Sequence, residues 1–257
     1  MLKTAENLHA ASTSASTCAS GQPLVPMVAR DRRCAERGRT LSEHLSLTLR
    51  GRGTTAIMGP NGAGKSLLMR LLHGLLKPSS GSILWGGKPL DEDIRTRQAM
   101  VFQRPTMLRR SAIDNLRFVL GDLPRCERER RVAELIAEAK LEHVASTPAR
   151  LLSGGEQQRL AIARARATEP EVLFLDEPAA SLDPASTHAI EELTRTIQAD
   201  GIKVILVTHD RGQAKRLADE VVFINKGRIT EQSAAADFFA RPASAAARDY
   251  LDGRLTL

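Results

Sequence analysis

Gly59-Pro60-Asn61-Gly62-Ala63-Gly64-Lys65-Ser66 separates two glycines by four residues and follows the second with Lys-Ser. Glycines so placed let backbone N–H groups curl around phosphate oxygens, and a helix starting just beyond adds positive potential. Lys65 is placed to reach β- and γ-phosphates, and the Ser66 hydroxyl to ligate Mg²⁺. The bland alternative is a Gly-rich turn that happens to end in Lys-Ser. The flanking sequence disfavours it: an apolar run precedes the loop and a helical pattern follows, as a phosphate cradle requires.

Two further stretches carry chemistry. Leu173-Phe174-Leu175 runs into Asp176-Glu177, which brings two carboxylates to the carboxyl end of a strand, where open α/β sheets bind nucleotides. Asp176 is expected to hold Mg²⁺ through water, and Glu177 to polarise an attacking water. An acidic strand end that only caps the next element is the alternative. In Leu152-Ser153-Gly154-Gly155-Glu156-Gln157-Gln158-Arg159, Ser153 and two glycines precede a helix read from Gln158 to Ala167. That is a second anion-binding helix start. One nucleotide does not need two cradles, so the second is expected to serve a nucleotide held by another copy. Its bland counterpart is an N-cap on an amphipathic helix.

The elements that must position these groups follow from periodicity. Leu45, Leu47 and Leu49 alternate with Ser46 and Thr48 as in a half-buried strand, and 54–59 reads as a buried one. A helix is predicted from Lys65 to Leu76, its leucines 67, 68, 71, 72, 75 and 76 forming one stripe that Pro78 and Gly81 end. A hairpin is expected at 82–87 and a strand at 99–103. Residues 111–140 turn helical, with Ser111 and Asp114 resembling a capping box. The runs 172–177 and 203–209 are continuous and apolar, the mark of strands buried on both faces. Between them Pro184–Ala199 is helical, with Gly201 just past its end. A final hairpin is expected from Val221 through the RITE stretch. Strands alternating with helices argue for a parallel α/β sheet, which the helical block at 104–169 interrupts as an inserted subdomain. Residues 1–22 are rich in Ala, Ser and Thr and read as a disordered leader. The domain is expected over 23–242, followed by a tail at 243–257.

The chain has 257 residues, 42% apolar and 26% charged, which excludes wholesale disorder, collagen and coiled-coil classes. No run of about 18 apolar residues is present, so no membrane span is expected. Cys18, Cys34 and Cys126 form no CxxC pair, which argues against a zinc site or disulfide scaffold and for a reducing setting. Lys and Arg number 37 against 30 acids, and ten of the arginines fall between Arg95 and Arg131. Aromatics make up only 3%, so stacking platforms are scarce and no nucleic-acid partner is expected. The basic stretch is then either a solvated face or a surface docked near lipid headgroups.

LSGGEQQR resembles the signature sequence of ATP-binding cassette (ABC) ATPases. Other elements of that family occur in order. Gln103 after AMVF resembles the Q-loop, Ser181-Leu182-Asp183 the D-loop, and His209 ending KVILVTH the switch histidine. The resemblance covers roughly residues 24–240. It implies a P-loop NTPase core of α/β type with a mainly parallel sheet, an N-terminal antiparallel β portion and an inserted α-helical subdomain. It implies ATP and Mg²⁺, and the reaction of ATP with water to ADP and phosphate. The nucleotide-binding set it implies runs through Gly59, Pro60, Asn61, Gly62, Ala63, Gly64, Lys65, Ser66 and Leu67, with Ser153, Gly154, Gly155 and Asp183 added from the signature and D-loop. Ser66, Gln103 and Asp176 would hold the metal; Glu177, His209, Gln103 and Lys65 would act in catalysis. In that family two cassettes pack head to tail around two ATPs. Ser153 and Gly155 would then face a γ-phosphate bound by the partner, and His209 would contact its own. One element departs from the pattern. Where an aromatic residue usually stacks on adenine, this chain has Arg33-Cys34-Ala35-Glu36-Arg37, with no Phe, Tyr or Trp between Met27 and Arg52. An arginine plane is the alternative stacking group.

Three classes compete within the resemblance. Glu177 argues against a regulator that binds without turnover. A soluble ABC protein acting on DNA or ribosomes generally carries coiled coils or two cassettes in one chain. The remaining class is the ATPase subunit of a bacterial importer, peripheral on the cytoplasmic face of the inner membrane. Its expected partners are a second cassette, transmembrane permease subunits and, indirectly, an extracytoplasmic solute-binding protein. Phe102–Ser111 resembles importers of tetrahedral oxyanions, especially the tungstate type, with phosphate and molybdate systems as relatives. The short stretch after His209 fits that expectation, since it leaves no room for an added regulatory barrel. Polar amino acids are the runner-up solute.

Overall fold

A computed structural model describes residues 23–36, 39–78 and 81–254, so the leader expected at 1–22 lies outside the described residues. The chain lays down β1 (Met27–Glu36), β2 (Arg39–Leu49), β3 (Thr54–Met58), α1 (Lys65–His73), β4 (Ser82–Trp85), β5 (Lys88–Pro89), α2 (Glu92–Thr96) and β6 (Gln98–Val101). Three helices precede the next strand: α3 (Ala112–Val119), α4 (Arg125–Glu138) and α5 (Gly154–Ala167). Then come β7 (Val172–Asp176), α6 (Pro184–Ala199), β8 (Lys203–Val207) and α7 (Arg211–Leu217). The hairpin β9 (Glu220–Asn225) and β10 (Arg228–Ala234) leads to α8 (Ala235–Ala240) and α9 (Ala245–Leu251).

The continuous apolar runs become the interior of a six-stranded sheet of order β10-β9-β3-β8-β7-β6. β6, β7, β8, β3 and β9 are mutually parallel, and β10 closes one edge as the antiparallel arm of a hairpin. A separate antiparallel sheet has the order β2-β1-β4-β5. This is the expected architecture: a mainly parallel sheet, an antiparallel β portion near the N-terminus, and three helices inserted between neighbouring strands β6 and β7.

Alternation along each strand distributes the core to both faces. Val172 and Phe174 of β7 join Ile205, α1 and the antiparallel sheet, while Leu173 and Leu175 join Leu206, α6 and the inserted helices. α1 thus mediates between the two sheets: Leu68, Met69, Leu71 and Leu72 are fully buried beside Trp85, whose indole Nε1 donates to the Leu72 carbonyl at 3.2 Å. Each such leucine contributes roughly 1.5–3 kcal/mol relative to exposure.

Three boundaries differ from the sequence reading. α1 ends at His73, not Leu76, because Gly74 adopts φ 86° and its N–H turns back to the Leu71 carbonyl. An L side chain there would also strike Leu90, so the glycine ends the helix despite the leucines beyond. The helical stretch at 111–140 is two helices, the first capped by Ser111, whose hydroxyl accepts from the Asp114 N–H. α5 begins at Gly154, not Gln158, since Ser153 and Glu156 form a reciprocal capping box that starts the helix at the glycines. Past residue 242, α9 folds back, with Ala247 buried in a third apolar cluster around Phe223 and Phe238.

Candidate functional site

Strand register assembles the first cluster. Val101 of β6 pairs with Leu175 of β7, and Asp176 with Val207 of β8. Two residues beyond each pair, the chain leaves the sheet at its carboxyl edge. Gln103 and Glu177 therefore emerge side by side, and the Gln103 amide Nε2 donates to Glu177 Oε2 at 3.3 Å. His209 leaves the next strand over, with its Nδ1 3.2 Å from Glu177 Oε1. Glu177 itself has φ 48°, a left-handed conformation that a non-glycine residue holds only when its surroundings fix it. Its N–H donates to the Val207 carbonyl at 2.9 Å.

β3 lies beside β8 and delivers the glycine loop to the same edge. Gly59 has φ 150°, and a Cβ there would lie 2.0 Å from the Ile224 carbonyl oxygen, so only glycine lets the loop leave the sheet. Gly64 takes φ 103° and starts α1 with no side-chain cap, leaving the first helical N–H groups for an external acceptor. Lys65 is buried, and its Nζ donates to the Gly59 carbonyl at 2.9 Å and the Pro60 carbonyl at 3.2 Å. Burial lowers its pKa, opposed by the nearby Glu177 and Asp176 carboxylates. The ammonium is thus folded onto its own loop. Ser66 Oγ donates to Asp176 Oδ1 at 2.9 Å. Burial raises the Asp176 carboxyl above its ordinary value, while the Ser66 hydrogen bond and the Arg70 and Lys65 charges pull it down.

A second cluster forms around the start of α5. The Ser153 hydroxyl donates to Glu156 Oε2 at 2.7 Å and accepts from the Glu156 N–H at 3.3 Å. A Cβ on Gly155 would lie 2.3 Å from Ser186 Oγ, and one on Gly154 would lie 3.2 Å from Leu182. The two glycines let α5 seat against the 182–186 segment. Asp183 caps α6 there by accepting from the Ser186 N–H at 2.9 Å. No hydrogen bond or ion pair among the described residues joins Ser153, Gly154, Gly155 or Asp183 to Lys65, Ser66 or Glu177.

These two clusters occur in a chain whose residues 42–180 match the family described as ABC transporter. The chain belongs to that family. It is an ATP-binding cassette, and its reaction is ATP hydrolysis. It is 36% identical over 231 residues to the methionine import ATP-binding protein MetN of Nocardia farcinica, covering 86% of this chain and 69% of that one. Against a second MetN, from Cereibacter sphaeroides, this cassette spans 62% of the relative's length. It is 37% identical over 231 residues to the phosphate import ATP-binding protein PstB of Spiroplasma kunkelii, covering 82% of this chain and 85% of that one. Among solved structures, cbiO1 of Clostridium perfringens, part of the transporter complex cbiONQ, superposes with a TM-score of 0.77 at 32% identity. That match covers 84% of this chain and 90% of cbiO1. A dimeric cassette in a post-hydrolysis state with ADP and Pi superposes with a TM-score of 0.71 at 27% identity, over 81% of this cassette and 98% of the other.

Two residues beside the loop after Gln103, Arg164 and Phe118, were not singled out by the sequence. The Gln158 amide reaches the Phe102 carbonyl at 3.4 Å, and Arg164 donates to the Thr106 carbonyl at 2.8 Å, so α5 grips the loop that carries Gln103. Phe102 and Phe118 are exposed beside it, and the Arg110 guanidinium lies 5.1 Å from the Phe118 ring centroid. Met107, within the Phe102–Ser111 stretch, is buried among the inserted helices. The basic stretch is largely paired within the chain: Arg97 with Glu171, Arg117 with Asp114 and Glu129, Arg130 and Arg131 with Glu134. The adenine-stacking question at Arg33–Arg37 falls on side chains outside the described ones.

Proposed function

We propose that this cassette powers the uptake of a small oxyanion, working as a head-to-tail pair of identical copies on the cytoplasmic face of a membrane permease. The observation that carries the pairing is the separation of the two clusters: among the described residues no hydrogen bond or ion pair joins the α5 start to the glycine loop, which suits service to a second copy. In that arrangement Ser153 and the free N–H groups of Gly154 and Gly155 meet the γ-phosphate that the other copy holds through Gly59–Leu67. Mg²⁺ fits the site, since Ser66 and Asp176 place two hard oxygen donors 2.9 Å apart, and such a metal takes few protein ligands beside phosphates and waters. Bound there, it would neutralise charge on the transferred phosphoryl oxygens. Glu177 polarises the attacking water, Gln103 orients it through an amide that both donates and accepts, and His209 contacts the γ-phosphate.

The loop after Gln103 is the proposed seat of the permease. It borders a cleft of about 440 Å³ lined in part by Val101, Phe102, Pro105, Val119 and Arg164. The tungstate- and phosphate-type reading rests on the Phe102–Ser111 resemblance and on the phosphate import relatives. Methionine is the second reading, favoured by the methionine import relatives. The test is ATPase stimulation in the complex assembled with its permease and an extracytoplasmic binding protein. Stimulation by tungstate or phosphate supports the oxyanion, and stimulation by methionine alone replaces it.

A further inference from the structure

The helix α9 reaches the catalytic edge of the sheet through Tyr250. The Tyr250 hydroxyl donates to the carbonyl of His209 at 3.1 Å, across 41 residues of sequence. We propose that Tyr250 is a positioning residue for His209: its hydroxyl fixes the peptide that follows His209 and thereby the aim of the imidazole at Glu177 and the γ-phosphate. The proposal rests on the reading of His209 given above.

The peptide between His209 and Asp210 is held at both ends. Its N–H, on Asp210, donates to Thr208 Oγ1 at 3.0 Å, and its carbonyl accepts from Tyr250. Asp210 is fixed further on, where its carboxylate caps α7 by accepting from the Gln213 N–H at 3.0 Å. Without the phenol, the plane is pinned at the Asp210 end only and can rotate about it, carrying the His209 Cα. With its side chain 54% exposed, packing fixes the imidazole only in part.

The phenol is itself built in place. Its ring lies 5.2 Å from the Phe223 ring, and Ala247 anchors α9 in the same cluster. Glu231 of β10 accepts from the N–H groups of Ala243 and Ser244 at 3.0 and 2.9 Å, holding the start of α9. Arg211, at the start of α7, donates to the Leu251 carbonyl and, at 3.4 Å, to that of Tyr250, holding its end. Burial raises the Tyr250 pKa, which keeps the hydroxyl proton available. A tyrosine needed only for packing would not require its hydroxyl on this carbonyl.

The experiment uses Tyr250→Phe in the full chain, which keeps the ring and removes one hydrogen bond. We expect kcat for ATP to fall about three- to tenfold, the range of one lost hydrogen bond, with KM within about twofold. The His209 imidazole resonance in a ¹H–¹³C spectrum should move while the other five histidines of the six stay put. Arg211→Ala, which frees the end of α9 but leaves the phenol, should act in the same direction more weakly. An unmoved His209 resonance overturns the proposal, as does a moved resonance with unchanged kcat when His209→Ala is inactive. Wild-type turnover in His209→Ala would overturn the reading of His209 itself. The resonance would then still tell whether Tyr250 fixes the ring.

Discussion

Gly155→Ala separates the roles of the two clusters. The added methyl would sit 2.3 Å from Ser186 Oγ and 2.6 Å from Ser186 Cβ, well inside van der Waals contact. The start of α5 must therefore withdraw from α6 by roughly 1 Å. Overpacking of this kind costs about 1–3 kcal/mol, and the better helix propensity of alanine returns about 1 kcal/mol. The net loss, about 0–2 kcal/mol, lowers Tm by only a few degrees in a chain of this size. Turnover is far more sensitive, because an anion-binding group misplaced by about 1 Å costs on the order of 10²-fold. The assay pairs steady-state ATPase with binding of a fluorescent ATP analogue to the isolated chain. Hydrolysis should drop by about that factor, and binding should hold, since Lys65 and Ser66 lie on another element. Adding Ser186→Gly removes both clashing atoms while keeping the backbone N–H that Asp183 caps, and should restore most of the turnover. Wild-type turnover in Gly155→Ala, or a loss that Ser186→Gly does not relieve, would refute the packing argument.

Two further perturbations probe the metal site and the permease surface. Because Asp176 has its pKa raised by burial, the folded chain binds that proton more tightly than the unfolded chain; its contribution favours folding at low pH and is lost as pH rises through the folded value. Asp176→Asn should therefore raise the Tm of the nucleotide-free chain at about pH 8, with the gain shrinking toward about pH 4, while Mg²⁺-dependent turnover is abolished; an unchanged or lower Tm at the higher pH would contradict the burial argument. Charge reversal of the exposed Arg109 and Arg110 should cut solute uptake by the assembled transporter at least about tenfold with basal ATPase near wild type, and unchanged uptake would place the permease elsewhere.

The sequence exposed what is local. The glycine loop announces itself because a phosphate cradle needs its residues consecutive, and α6 was readable to the residue from Pro184 at its start and Gly201 beyond its end. The buried strands were equally plain, since a strand covered on both faces is continuously apolar. What the sequence could not supply is pairing between distant segments. Gln103 and Glu177, 74 positions apart, meet only because β6 and β7 are neighbours in one register. Met107 shows no period in sequence, and its burial comes from an apolar cluster built of segments distant in the chain. The end of α1 differs from the periodicity because the leucine stripe continues past Gly74, while the left-handed turn at that glycine, φ 86°, stops the helix. Tyr250 gave no signal at all, as nothing near it in sequence marks its reach to the His209 carbonyl.

The central claim is that two copies close around ATP and that Glu177 drives the water attack. Glu177→Gln keeps the shape of the side chain and removes its charge. The deciding measurement is size-exclusion chromatography of that variant with and without ATP, beside its ATPase rate. The account predicts an ATP-dependent shift to twice the monomer mass, with turnover down by about 10²–10⁴-fold. A chain that stays monomeric with ATP and keeps its wild-type turnover would contradict it.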